Sequence, residues 1–232
     1  MLKKILIILT SILLIANFYV ISECTTHDRR VINLISIICY FLVFLGFGGA
    51  KKILLLYSIL AFLGTDYLLI YYDTNEVVTK VIPVLKISAY FLLTVSVFEK
   101  VKLLNNKSSI IIGFLVIIAL NVLWMFNLIW KSSEKFNDNF EIVLHLLYGL
   151  IMVWMCTIAI NCYMRFKTTK SLFFLLFILG VILSDASWFL AYYFDIKFFF
   201  YIYTILYFIG LAYMVRYADS TGNKDDAFLS VS

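Results

Sequence analysis

The stretch SLFFLLFILGVILSDASWFLAYYF, from Ser171 to Phe194, decides how the rest of the chain folds. It is long and apolar enough to cross a bilayer as a helix, since a span needs about 20 such residues. Asp185 lies inside it, and a carboxyl group deep in a membrane helix costs roughly 2.5–3.5 kcal/mol to insert. Such acids usually face a bundle interior or a wet cavity, so Asp185 is a candidate site residue.

A second stretch, ILLLYSILAFLGTDYLLIYY at Ile53–Tyr72, has the same organisation. It also begins after basic residues, places one acid, Asp66, in its second half, and ends in a pair of tyrosines, as Ser171–Phe194 does. We therefore predict two similar helices that each carry one intramembrane acid.

The composition indicates a polytopic membrane protein. Of 232 residues, 64% are hydrophobic and 14% charged, and the mean hydropathy is +1.00, a balance that soluble domains of this size do not carry. The apolar runs are continuous rather than alternating, which favours helices over a barrel. The net charge of +5 comes from lysines and arginines in predicted loops, so we expect no nucleic-acid partner. The cysteines and histidines have no metal-ligand spacing, and we expect neither a metal nor another cofactor.

The apolar pattern predicts an all-α bundle of about eight transmembrane helices with short connections. We expect a single integral membrane domain over residues 1–218, followed by a polar, disordered cytoplasmic tail over 219–232. The first span begins like a signal peptide, but we predict that it is retained because the small-residue cleavage pattern is missing. The predicted spans are 5–22, 31–47, 53–72, 78–98, 108–130, 140–163, 171–194 and 197–217.

Loop charges predict the orientation. The side of the N-terminus carries 12 lysines and arginines and the opposite side 6, so the positive-inside rule puts both termini in the cytoplasm. We expect the chain in a bacterial inner (plasma) membrane. The 12 are Lys3, Lys4, Lys51, Lys52, Lys100, Lys102, Lys107, Arg165, Lys167, Lys170, Arg216 and Lys224, and the 6 are Arg29, Arg30, Lys80, Lys131, Lys135 and Lys197.

This topology predicts that the polar intramembrane residues share one layer. Spans three and seven both run outward, and at 1.5 Å per residue Asp66 and Asp185 lie roughly 20 Å from the inner end. His145, Asn121 and Lys86 reach the same outer half from neighbouring spans. Two carboxyls in one apolar cavity repel when both are ionised, so the pair can supply one acid and one carboxylate.

Two short motifs resemble a known family. Ser58-Ile-Leu-Ala-Phe-Leu-Gly64-Thr65-Asp66 in span three and Gly180-Val-Ile-Leu-Ser184-Asp185 in span seven, with tyrosines in spans six and eight, are similar to motifs of the YhhN-type membrane proteins, which include the lysoplasmalogenases. The family usually has Gly directly before the first Asp, where this chain has Thr65. Lys86 stands roughly where the family often has a histidine.

The resemblance implies hydrolysis of the vinyl ether of a lysoplasmalogen, a lysophospholipid, to a fatty aldehyde and glycerophospho-ethanolamine or -choline. Protonation of the vinyl carbon gives an oxocarbenium ion that water attacks. We expect Asp66 and Asp185 to be catalytic, one as proton donor and the other stabilising the cation or activating water. The candidate substrate-binding residues, which would orient water or the headgroup or attract the phosphate, are Lys86, His145, Tyr67, Tyr71, Tyr192, Ser184 and Asn121.

Other interpretations stay open at this point. Each acid can instead be an interhelical hydrogen-bonding group, Lys86 can extend to the outer surface, and His145 can be a helix contact. A proton-coupled small-solute transporter fits repeated acids near the midplane, and a non-catalytic membrane protein would tolerate their loss. A retinal photoreceptor is disfavoured because the last two predicted spans contain no interior lysine. Partners other than membrane lipids, and the oligomeric state, are not determined by the sequence.

Overall fold

The chain folds into helices throughout the part that the structure describes. The computed structural model describes residues 1–98 and 108–219, and in these residues it contains eight α-helices and no strand, which confirms the predicted all-α class. The predicted tail beyond Asp219 and the cations Lys100, Lys102, Lys107 and Lys224 lie outside these residues. The helices are α1 (Leu2–Glu23), α2 (Thr26–Gly46), α3 (Ile53–Leu69), α4 (Glu76–Phe98), α5 (Ser108–Lys131), α6 (Asn139–Phe166), α7 (Thr169–Tyr193) and α8 (Phe198–Asp219).

Several of these helices are long and apolar enough to cross a bilayer. Among the described residues six qualify by length and hydropathy, namely α1, α2, α4, α6, α7 and α8, while α3 has 17 residues and is shorter. Several long apolar helices in one chain are typical of a polytopic integral membrane protein, the class that the composition predicts.

Two helix boundaries differ from the predicted spans for local reasons. α2 begins at Thr26 rather than near residue 31, because Thr25 and Asp28 form a capping box that satisfies the first backbone donors. α3 ends at Leu69 rather than at Tyr72, because the following amides of Tyr71 and Tyr72 bond to carbonyls only three residues back. The Tyr71–Tyr72 pair therefore lies in a turn.

α7 lies at the centre of the bundle and packs most closely on α8. Half of the residues in its most apolar segment are buried inside the bundle. The corresponding share for α1 is 17%, so α1 lies at the periphery. A Cβ atom on Gly180 would stand 2.7 Å from the Cα atom of Gly210, so the backbones of α7 and α8 approach as only glycines permit. This close approach sets the separation of the helix that carries Asp185 from α8.

The two ends of the chain are interleaved. α3 packs on α4, but α4 also packs on α6, and α8 packs on α1 and α2 as well as on α7. α1 is tied into the bundle by hydrogen bonds from Asn17 to Ser36 (3.1 Å) and between Thr10 and Tyr40 (2.6 Å). The helices of the first and second halves therefore contact each other directly.

The two tyrosine pairs meet at one end of the bundle. The hydroxyls of Tyr72 and Tyr193 are 2.6 Å apart, and Tyr192 donates to Asp73 at 2.7 Å. The Asp73 carboxylate also forms an ion pair with Arg30 at 2.8 Å. Partial burial acts to raise the pKa of Asp73, but hydrogen bonds from Arg30 and Tyr192 and the charge of Arg30 outweigh it and hold this pKa below its ordinary value.

We expect Asp73→Asn to lower the midpoint of thermal unfolding in detergent at neutral pH, because it removes the charged partner of buried Arg30. A carboxyl with a depressed pKa contributes stability above its unfolded pKa, about 4, and loses it as the pH falls through its folded pKa. The difference between wild type and variant should therefore shrink below about pH 4. Asp195→Asn, an equal charge change in the exposed α7–α8 connection, is the control. A difference that is constant with pH would contradict this expectation.

We expect Gly180→Ala to destabilise the bundle by about 1–3 kcal/mol, because the new methyl group meets backbone that cannot move aside. Gly64→Ala is the matched control, since a Cβ atom there would meet only the Leu85 side chain, at 3.8 Å. Thermal unfolding of both variants measures the effect. Equal unfolding midpoints for the two variants would show that the close approach of α7 and α8 does not limit the stability of the bundle.

Candidate functional site

Asp185 is held by donors from two other helices. Its Oδ1 atom lies 2.5 Å from the Nζ atom of Lys86, and its Oδ2 atom accepts hydrogen bonds from the hydroxyls of Tyr90, at 2.9 Å, and Tyr148. Lys86 and Tyr90 are four residues apart and so lie on the same face of α4, while Tyr148 comes from α6. The ammonium group and the two phenols occupy three of the roughly four acceptor positions of this carboxylate.

Asp66 occupies a similar but simpler site on α3. Its Oδ2 atom accepts a hydrogen bond from the hydroxyl of Tyr207 on α8 at 2.7 Å. Asp66 and Asp185 are 5% and 6% exposed, so both acids are withdrawn from the surface of the bundle. The charges of Lys86 and Asp185 act on Asp66 through space, which places the three groups in one electrostatic cluster.

Each acid accepts a hydrogen bond from a tyrosine in the other half of the chain, and Asp185 also accepts one from Tyr148 in its own half. Asp66 in the first half bonds to Tyr207 in the last helix, and Asp185 in the second half bonds to Tyr90 in the fourth. The internal resemblance between Ile53–Tyr72 and Ser171–Phe194 therefore corresponds to a reciprocal exchange of contacts. Because one hydrogen bond to each acid crosses between the halves, neither acid site is complete without the other half.

One cavity reaches this cluster. It has a volume of about 350 Å³, lies between α5, α6 and α7, and Asp185 and Tyr148 form part of its wall. Asp66 is not among its lining residues. Most of the wall is apolar, and Trp124 (53% exposed) and Leu183 (48% exposed) belong both to the wall and to the outer surface of the bundle. The cavity thus connects a buried carboxylate with the surface that would face lipid.

Three further predicted site residues lie at or near this cavity. Buried His145 lines it, with its Nδ1 atom 3.0 Å from the Glu141 carbonyl and its ring 4.9 Å from that of Phe136. Asn121 of α5 lines the same cavity. Ser184 is buried beside Asp185, and its hydroxyl donates to the carbonyl of Val181 at 2.7 Å.

The three predicted tyrosines lie elsewhere. Tyr67 and Tyr71 are 50% and 45% exposed and pack edge to face on each other, with ring centroids 5.8 Å apart. Tyr192 bonds to Asp73 at the end of the bundle. None of the three lines the cavity that reaches Asp185.

The tyrosines that do contact the acids were not among the predicted site residues. They are Tyr90, Tyr148 and Tyr207, for which the sequence predicts no contact with an acid. Helix spacing could have found two of them, because Tyr90 follows Lys86 by four residues and Tyr148 follows His145 by three, so each shares a helix face with a predicted site residue. Tyr207 has no such neighbour on its own helix.

Lys86 does not line the cavity, and its ammonium group has a carboxylate partner inside the protein. Its Nζ atom also lies 5.4 Å from the ring centre of Tyr148 and 5.9 Å from that of Trp188. Within residues 1–98 and 108–219, no group of three or more His, Cys, Asp or Glu side chains is arranged to hold a metal ion.

Comparison of the chain with protein-family models, with curated proteins and with solved structures finds no match in any of the three. What the site does must therefore be inferred from its own residues.

We expect a double-mutant cycle to separate the free energy of the Lys86–Asp185 ion pair from the cost of burying each charge. Removing one partner, in Lys86→Met or Asp185→Leu, leaves a buried charge without its partner and should destabilise the protein by about 3–5 kcal/mol. The double variant removes both charges and should recover most of that loss, because an apolar pair needs no compensation. Unfolding midpoints in detergent measure the cycle, and additive losses would contradict the pairing.

Proposed function

We propose that this protein is a lysoplasmalogenase-like hydrolase, which cleaves the vinyl ether of a lysoplasmalogen to a fatty aldehyde and glycerophospho-ethanolamine or -choline. The observation that carries the proposal is the placement of Asp185 and Tyr148 at the wall of an apolar cavity in a membrane bundle, with Lys86, which does not line the cavity, paired to the Asp185 carboxylate. An apolar cavity with one cluster of polar groups is the usual form of a site for an amphiphile.

The apolar lining of the cavity and its border on the surface of the bundle support a lipid substrate with a single chain. Its wall is formed mainly by aliphatic and aromatic side chains, and exposed Trp124 and Leu183 give it a border on the surface of the bundle. A lysolipid can move sideways from the bilayer into such a cavity without exposing its chain to water. The vinyl ether then lies beside Asp185, and the headgroup extends toward the nearer membrane surface.

The Lys86–Asp185 pair supplies the acid chemistry. The pair delivers one proton to the vinyl carbon that does not carry oxygen, and the double bond becomes an oxocarbenium ion that faces the remaining carboxylate. Water adds to the cationic carbon and returns one proton to the pair. The hemiacetal then breaks its bond to the glycerol oxygen, giving an aldehyde and an alcohol, so that one water is consumed and the pair is unchanged.

The two acids have different parts in this scheme. Asp185 borders the cavity and acts on the substrate, whereas Asp66 does not line the cavity and accepts a hydrogen bond from Tyr207. Asp66 therefore has a supporting part, while Asp185 exchanges protons. Tyr90 and Tyr148 hold the Asp185 oxygens in place during the transfer.

The proposal includes the membrane arrangement. All eight helices cross the bilayer, with α3 and the turn that follows it forming the third crossing, and both termini lie on the cytoplasmic side of a bacterial inner membrane. The excess of basic residues on the side of the N-terminus supports this orientation.

We expect purified wild type in detergent to release aldehyde from lysoplasmenylethanolamine or its choline analogue, and Asp185→Asn to lose at least about 100-fold of that rate, the contribution of a positioned acid or base. Asp66→Asn should lose less, and Asp195→Asn, an exposed neutralisation, should keep the rate. Leu183→Trp, which narrows the cavity from its exposed border, should raise KM more than it lowers kcat. No release by wild type from either lipid, or full activity in folded Asp185→Asn, would overturn the proposal.

A proton-coupled transporter of a small solute is the second candidate, and one observation favours it. The acid–tyrosine contacts are exchanged between the two halves of the chain, an arrangement that suits transporters built from repeats around a central site. The detergent assay distinguishes the two, because hydrolysis needs no gradient and transport does. Proton-driven uptake into vesicles without any aldehyde release would favour transport.

A further inference from the structure

One end of the bundle carries almost only positive charge. At this basic end α1, α3 and α7 begin and α2, α6 and α8 end, and Lys52, which directly precedes α3, donates to the carbonyls of Tyr217 and Ala218 at the end of α8. Among the described residues the only acid at the basic end is Asp219. Its described cations are Lys3, Lys4, Lys51, Lys52, Arg165, Lys167, Lys170 and Arg216.

A groove between α1 and α8 opens at this end. Its volume is about 350 Å³, and it does not share a lining residue with the cavity at Asp185. Lys3 and Arg216 lie at its mouth, close to the first residue of α1 and the last of α8. Ile7, Ile209 and Ala212 line it one or two helical turns further in, so the groove is cationic at the mouth and apolar inside.

Unlike Arg30 and Lys80, the two cations at the mouth of the groove form no ion pair within the described part of the chain. Arg30 and Lys80 pair with Asp73 and Asp138, at 2.8 and 2.5 Å, at the opposite end of the bundle. For Lys3 and Arg216, the described part of the chain contains no carboxylate oxygen within 4.0 Å.

Arg216 is also oriented in advance. Its guanidinium carbon lies 4.1 Å from the centre of the Phe173 ring, so the planar group is stacked on α7 and half-buried. A stacked guanidinium keeps its N–H groups at its edge, where they match the oxygens of a phosphate. The mouth of the groove therefore has a fixed, bidentate donor on one side and a flexible point charge, Lys3, on the other.

We propose that this groove binds an anionic phospholipid, with the phosphate between Lys3 and Arg216 and one acyl chain along Ile7 and Ile209. The apolar wall alone would not select a ligand, since it gains nothing over ordinary contact with the bilayer. The two cations supply the selection, because basic groups at a membrane surface attract anionic lipids. The lipid would be a bound component of the bundle, separate from any substrate at Asp185.

Native mass spectrometry of the full-length protein in detergent tests this, with phosphatidylglycerol and phosphatidylcholine of identical chains as probes. We expect wild type to retain phosphatidylglycerol in preference to phosphatidylcholine, and Lys3→Gln/Arg216→Gln to weaken that retention by about tenfold or more. The control is Lys4→Gln/Lys51→Gln, which removes the same charge from exposed positions at the same end that do not line the groove. It should change retention by less than about twofold.

A second variant, Ile7→Trp, fills the groove from an exposed position and leaves both cations in place. We expect it to weaken phosphatidylglycerol retention as well, because the chain then has no room. Equal retention of the two lipids, equal losses in the two double variants, unchanged retention in the groove variants, or displacement of the lipid by millimolar inorganic phosphate would each overturn the proposal.

Discussion

A charge in the interior of a bundle that faces lipid has to meet its counter-charge within the protein, and Lys86 and Asp185 do so across α4 and α7. Two charges taken out of water are stabilised only when their geometry is close and their remaining hydrogen-bonding sites are filled. Tyr90 and Tyr148 both donate to the other oxygen of Asp185. The pair therefore sets the register of α4 against α7, and Tyr148 adds α6 to the same cluster.

The packing of the other helices is compatible with the contact between Lys86 and Asp185. α7 can stand close to α8 because Gly180 and Gly210 have no side chains, and α8 then presents Tyr207 to Asp66. In this way α3, α4, α6, α7 and α8 all contribute to one buried polar cluster. A cluster assembled from five helices is disturbed when any one of them shifts, because ionisable groups in an apolar interior need all of their partners in place.

The two ends of the bundle use their charges differently. At one end Arg30, Asp73 and Tyr192 satisfy one another, and the two tyrosine pairs meet. At the basic end described cations outnumber acids, and Lys3 and Arg216 border a groove. The interior site and the groove are thus separate features with different chemistry, one suited to proton transfer and the other to binding an anion.

Much of this protein follows from its sequence alone. Continuous apolar runs determine that the chain is helical and suited to a bilayer, since a helix satisfies its own backbone there and barrel strands would alternate in polarity. The same runs make Asp66, Lys86 and Asp185 conspicuous, because each is a costly exception to its surroundings. Sequence could not assign Tyr90, Tyr148 or Tyr207 to the acids, nor show that Tyr67, Tyr71 and Tyr192 lie away from them. Tyrosines occur both in helix interfaces and at membrane surfaces, because their rings are apolar and their hydroxyls polar. Only the packing of α4, α6, α7 and α8 therefore decides which hydroxyls reach the carboxyls.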